Sequence, residues 1–135
     1  MKTAIWIPLL FALAALYDGL LGVLFLAAPG YPFEFFGVTP PNHLGYVQFP
    51  AALLLIFALM FVKIAVDPVR NYDLIVYGIL LKVAYCAVSG WHWLNGDIPG
   101  MWKPFTVIDA VMGILFVWAY VILYPSGEPA KARNP

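Results

Sequence analysis

Residues 71–94, NYDLIVYGILLKVAYCAVSGWHWL, decide how this chain folds. The run is long and apolar enough to cross a bilayer, which takes about 20 residues, yet Lys82 stands at its middle. On a helix, Gly78, Lys82, Tyr85, Ser89 and His92 fall on one stripe, small or polar throughout. Its flanks, Ile79, Leu80, Leu81, Val83, Ala84, Ala87 and Val88, are apolar. An ammonium group facing lipid at mid-depth costs at least about 2.5–3.5 kcal/mol. The stripe therefore faces protein or water, and Lys82 needs a partner. Two acids, Asp18 and Asp109, also lie inside apolar runs.

Composition places those runs in a membrane. The 135 residues are 64% hydrophobic and 10% charged, with a mean hydropathy of +0.89, against roughly 25% charged in a soluble domain. A net charge of zero leaves no electrostatic footprint for nucleic acid. The single cysteine, Cys86, excludes an intramolecular disulfide and a multi-cysteine metal site, and reads as a small buried helix residue. The N-terminal run MKTAIWIPLLFALAALYDGLLGVLFL outlasts the 7–15 apolar residues of a secretory signal and carries Asp18 inside it, so it reads as a first membrane helix. Neither end carries a lipidation motif.

Four apolar segments, 4–27, 43–66, 72–94 and 102–124, are bounded by Pro, Gly and Asn clusters. Each makes about 35 Å of helix, enough to span a bilayer with some tilt. Short connections after the first predict antiparallel packing of neighbours. The expected fold is all-α: a polytopic integral membrane four-helix antiparallel bundle, one domain over 1–125, followed by a disordered cytoplasmic tail at 126–135. Lys2, Lys63, Arg70, Lys131 and Arg133 fall on one side of such a bundle and only Lys103 on the other. The positive-inside rule then puts both termini in the cytoplasm of a bacterial inner-membrane protein.

The connections carry their own signals. Residues 28–42, APGYPFEFFGVTPPN, hold Tyr31, Phe33, Phe35 and Phe36, which read as interfacial aromatic rings or as a lid over a cavity between helix ends. Pro50 lies inside the second span, with Tyr46 and Gln48 near its outer end. In the link DPVRNYD, Asn71 or Asp73 is placed to cap the third span. NGDIPG at 95–100 is a turn by composition, bracketed by Trp91, Trp93 and Trp102.

Depth lets the three charges meet. At about 1.5 Å per residue from the outer helix ends, Asp18 lies about 14 Å down, Lys82 about 18 Å and Asp109 about 10 Å. A pair Lys82–Asp109 is the first expectation, with Asp18 completing a triad. Ala12, Ala15, Gly19 and Gly22 form a small-residue face beside Asp18 that permits close helix approach, inside the chain or between two copies of it. Thr106, Asp109, Gly113 and Tyr120 share a stripe on the fourth span, and Tyr17 and Tyr85 offer hydroxyls. Two acids against one base leave a surplus negative charge, which a shared proton would neutralise. His43 and His92 lie near the outer surface without the carboxylates or spacing of a metal site, and no hydrolase, zincin, P-loop or dinucleotide motif is present.

The segments YDGLLGVLFLAAPG, DPVRNYDL, GILLKVAY and FTVIDAVMGILF, taken with four spans, resemble the DoxX-like group of small bacterial membrane proteins. The likeness runs from about Tyr17 to Leu123 and implies a four-helix bundle that meets quinone or a redox partner. Members are similar to a membrane subunit described with thiosulfate:quinone oxidoreduction. DoxX-type chains tend to carry a basic residue in the first helix, where this one has Asp18, so the resemblance implies the fold and not the activity.

The leading functional expectation is a non-catalytic membrane protein with an outward-facing polar pocket for a lipophilic or quinone-like ligand, or a subunit of a larger membrane complex. Lys82, Asp109 and Asp18 would hold the polar head, with Tyr85, Ser89, His92 and Gln48 at the entrance. No cofactor is required, no metal is expected, and quinone is the candidate ligand; the bilayer, a second copy or a larger assembly are the partners. A proton-coupled transporter is the alternative, and an enzyme on a lipid-soluble substrate a lesser one. In a purely structural reading, Lys82 and Asp109 only lock helix register.

Overall fold

The structure, a computed structural model, describes residues 4–125. It is helical, with no strand among the described residues. The long helices are α1 (Trp6–Ala27), α3 (Gly45–Val66), α4 (Ile75–Leu94) and α5 (Lys103–Leu123), and a short α2 (Tyr31–Phe36) lies between α1 and α3. Turns of 3₁₀ helix, Tyr72–Leu74 and Gly100–Trp102, lead into α4 and α5. All four long helices are long and apolar enough to cross a membrane, and their ends fall within a few residues of the expected boundaries. The expected tail at 126–135 lies outside the described residues.

Each long helix buries one narrow stripe and exposes the rest. On α5 the buried residues are Thr106, Asp109, Met112, Phe116 and Ala119, and on α4 they are Ile75, Gly78, Lys82 and Ser89, the three-and-four spacing of a helix face. Leu9, Leu13, Leu16 and Leu20 of α1 and Ile56 and Leu59 of α3 stay exposed. The bundle is thus apolar outside as well as in.

Helices associate as two pairs, α1 with α3 and α4 with α5. Glycine sets the first pair: a Cβ on Gly22 would lie 2.9 Å from the Ala51 carbonyl oxygen and 2.9 Å from Leu55 Cγ. The small-residue face of α1 is therefore taken up by α3, with Ala12 alone of its members exposed. This corrects the expectation that the face serves a second copy, because a surface already closed inside one chain has no room for another helix.

The apolar core is divided. One part gathers Ile7, Phe11, Ile64, Ile75 and Ala119 around Phe61 and Phe116, where Phe11 stacks on Phe116 at 4.7 Å and Phe61 meets Phe116 at 5.3 Å. Gly78 admits this plug, since a Cβ there would stand 2.8 Å from Phe61 Cε1. The other part gathers Phe25, Phe33, Ala51 and Met101 at the opposite end. Lys82 and the two acids sit between them.

The link between α1 and α3 is ordered by α2. Gly37 takes φ +66 just past its end, and Val38 N–H donates to Phe33 O at 2.8 Å, a glycine-closed helix terminus. Phe33 is buried against Phe25 and Trp102, whereas Tyr31, Phe35 and Phe36 are exposed. One ring packs over the helix ends and three face outward. At the opposite turn, neither Asn71 nor Asp73 caps the third span. Asn71 Nδ2 donates instead to Lys63 O at 3.1 Å and Asp67 O at 2.9 Å, satisfying the last carbonyls of α3. The intervening 3₁₀ turn puts Leu74 at the cap position of α4.

The α1–α3 approach makes a graded prediction. Gly22→Ala is expected to destabilise by about 1–3 kcal/mol. Gly19→Ala, whose Cβ would meet Ala58 Cβ at an ordinary 3.6 Å, is expected to stay within about 0.5 kcal/mol of the parent. Unfolding by denaturing detergent reads both, and equal effects would show that the pairing does not depend on Gly22.

Candidate functional site

Lys82 projects from α4 into the space between the two parts of the core and is 1% exposed. A buried ammonium must find compensating charge and acceptors. Its Nζ lies 3.0 Å from Asp109 Oδ1 on α5 and 3.2 and 3.3 Å from the two carboxylate oxygens of Asp18 on α1. The acids are 1% (Asp18) and 7% (Asp109) exposed. The expected triad is thus assembled, with both acids as direct partners. Gly113 of α5 allows the approach, since a Cβ there would lie 3.3 Å from Lys82 Cβ. The ammonium also stands 5.4 Å above the Tyr17 ring and 6.0 Å above the Phe61 ring, within cation–π range.

Above the triad is a cavity of about 770 Å³, within the size range of small-molecule sites. Asp18 and Asp109 line it and Lys82 does not. The ammonium lies behind the carboxylates and holds them from the rear. Leu21, Phe25, Ala51, Leu54 and Phe57 make apolar walls, with Tyr17, Trp102 and Phe105 adding an aromatic side. Exposed Leu53 of α3 and Val88 of α4 also line the cavity, which therefore opens sideways between those helices. His92, Asp97, Ile98 and Pro99 form the mouth beside the turn before α5.

The remaining expected residues divide. Tyr85, Ser89 and His92 line the cavity, and each has a polar atom engaged within the protein. Ser89 Oγ donates to Tyr85 O at 2.6 Å, and Thr106 Oγ1 lies 2.8 Å from Ser89 Oγ and 3.0 Å from Trp102 O. These are helix back-bonds joined across the α4–α5 contact. Tyr85 OH donates to Trp102 O at 3.3 Å, and His92 Nδ1 is 3.1 Å from Asp97 Oδ1.

Gln48 is a correction. It is absent from the cavity wall, where Tyr46, Val47 and Pro50 stand, and its Nε2 donates to Leu26 O at 3.2 Å. A carbonyl at the end of α1 is open by the nature of helix termini, and a nearby amide satisfies it. The sequence reading left Asp97 in a turn without a role and gave Tyr17 only as a hydroxyl to spare. The Tyr17 hydroxyl is buried and has no hydrogen-bond partner among the described residues. Its place next to Asp18 in the sequence was the available signal.

Comparison of the chain with protein-family models, with curated proteins and with solved structures finds no match. Geometry alone therefore carries the reading of the site. Among the described residues no cluster of His, Cys, Asp or Glu is placed to hold a metal ion.

Charge compensation predicts an ordered mutant series. Lys82→Met is expected to destabilise by about 3–5 kcal/mol, because two acids lose the cation they share. Asp109→Asn is expected to cost less, since Lys82 keeps both oxygens of Asp18. The triple change Asp18→Asn, Lys82→Met, Asp109→Asn is expected to recover most of the loss seen in Lys82→Met. Thermal unfolding in mild detergent ranks the three, and equal damage in the single and triple variants would remove the charge argument.

Proposed function

We propose that this chain is a multi-pass protein of the bacterial inner membrane, an antiparallel four-helix bundle whose cavity holds a lipophilic small molecule by its polar head. The observation that carries the reading is the cavity itself: apolar walls, a carboxylate floor and an opening between α3 and α4. A site opening sideways from a bundle with an apolar perimeter is reached from the bilayer, where lipophilic molecules concentrate. Hydrophobic lining with a few polar groups at one point is the common form of a small-molecule site. Ionisable groups inside membrane spans are by default functional candidates. The DoxX-like resemblance supports the same architecture and brings quinone into consideration as a ligand.

Lys and Arg distribution supports cytoplasmic termini, which puts the cavity in the outer leaflet. Binding rather than transport is favoured because the plug of Phe11, Phe61 and Phe116 closes the bundle below the triad. A pathway through the protein would have to cross that plug.

Two measurements test this reading. In a Cys86→Ala background, Pro40→Cys is expected to react with an impermeant maleimide on intact spheroplasts, and Val69→Cys only after lysis; the reverse pattern would invert the topology. Native mass spectrometry is expected to find one lipophilic molecule retained per chain. Val88→Trp, which places an indole at the exposed rim, is expected to lose it without lowering the unfolding temperature. Proton flux in proteoliposomes that Asp109→Asn abolishes would replace binding by transport.

A further inference from the structure

The proposed site has a polarity that selects its ligand. Asp18, Asp109 and Lys82 bring two carboxylates against one ammonium at the cavity floor. The other titratable pair on the cavity wall is His92 with Asp97 at the mouth, and the Tyr17, Tyr46 and Tyr85 phenols complete the ionisable lining. Nothing else on the wall offsets the surplus negative charge. The group that could have offered a positive face, the Lys82 ammonium, is off the wall and committed to both acids.

What the cavity does present is acceptor oxygen. Lys82 reaches Asp109 through Oδ1 at 3.0 Å, leaving Oδ2 without a donor among the described residues. The Asp109 side chain is also the more open of the two acids, 10% exposed against 2% for Asp18. The unpartnered Tyr17 hydroxyl stands on the same wall and can accept as well as donate. Tyr17, Phe105, Trp102 and Phe25 form a strip leading away from the floor, with successive ring centroids 6.5, 6.2 and 5.8 Å apart. Aromatic faces attract cations, the more so when the cation is desolvated. Carboxylate, free acceptor and aromatic strip all favour one kind of head group.

We infer that the ligand is a lipophilic amine bound as its ammonium, with one N–H donated to Asp109 Oδ2, its charge balancing the triad and its tail lying along the aromatic strip. The inference rests on the cavity being a ligand site, as proposed above, and goes beyond it in fixing the head group. A quinone fits less well: its carbonyls are acceptors, and among the described residues the Tyr17 hydroxyl is the one uncommitted donor at the floor. An anionic head would meet two carboxylates with their counter-ion turned away.

Titration calorimetry with the full chain in phosphatidylcholine nanodiscs tests this, using decylamine, decanol and decylubiquinone as probes and Val88→Trp to subtract partition into lipid. Decylamine is expected to bind saturably at one site, at least tenfold more tightly than either neutral probe. Asp109→Asn is expected to weaken decylamine at least tenfold and to remove its preference over decanol, while Lys82 keeps Asp18. Decanol or decylubiquinone binding as tightly as the amine, and lost in Val88→Trp, would overturn the ammonium assignment and leave the ligand site standing. Uptake of all three probes that Val88→Trp does not alter would overturn both. The comparison of probes on the parent protein decides the point even where Asp109→Asn fails to fold.

Discussion

A single ammonium group, buried where neither water nor lipid can solvate it, constrains everything else in this bundle. The desolvation cost of such a charge is several kcal/mol even after relaxation, and only close opposite charge with good hydrogen-bond geometry offsets it. Lys82 obtains both from Asp18 and Asp109, contributed by different helices. Three helices are thereby tied at one point. For helices apolar enough to cross a membrane, that kind of polar contact and the close approach permitted by small residues are what hold helices together in lipid, where apolar side chains gain little by meeting one another. Gly22, Gly78 and Gly113 supply the close approach at three separate places in the bundle.

Division of the core follows from the same constraint. Below the triad the four long helices close on a plug of phenylalanine rings, and above it they part around the cavity. A charged layer cannot be packed as tightly as an apolar one without stranding polar atoms, so the bundle is dense on the side that needs only stability. It opens on the side where α2 and the turn before α5 cover the helix ends. Phe33 ties that cover to Phe25 and Trp102, which lets a proline-rich connection serve as structure rather than slack.

Much of this was legible in the sequence because helical periodicity and the cost of charge in an apolar run are both strong signals. Of the stripe, Gly78, Lys82 and Ser89 are buried, Tyr85 is half-buried and His92 is exposed, and Asp18 and Asp109 could be matched to Lys82 by depth alone. The residues misplaced were polar ones near helix ends. Gln48 turned to a backbone carbonyl in the last turn of α1 and Asn71 to carbonyls at and just past the end of α3, a choice set by tertiary neighbours that spacing does not reveal. Helix pairing was equally hidden: the glycine face of α1 fits a helix of its own chain or of another copy, and only its contact with Ala51 and Leu55 shows which. The pairing of His92 with Asp97 depends on how a turn folds back, a matter of loop geometry rather than period.

Locking helices needs one carboxylate for one ammonium, and a neutral pair would have done so at lower cost in desolvation. A second acid leaves the layer with a surplus negative charge that a shared proton or a cationic occupant can neutralise. Had Lys82 lain on the cavity wall, the surplus would be screened from any occupant. It lies behind, with Asp109 turned to the open space and an uncommitted phenol beside it. The feature that makes the triad a poor device for stability alone, its unbalanced charge, is the one that gives the cavity a chemical preference.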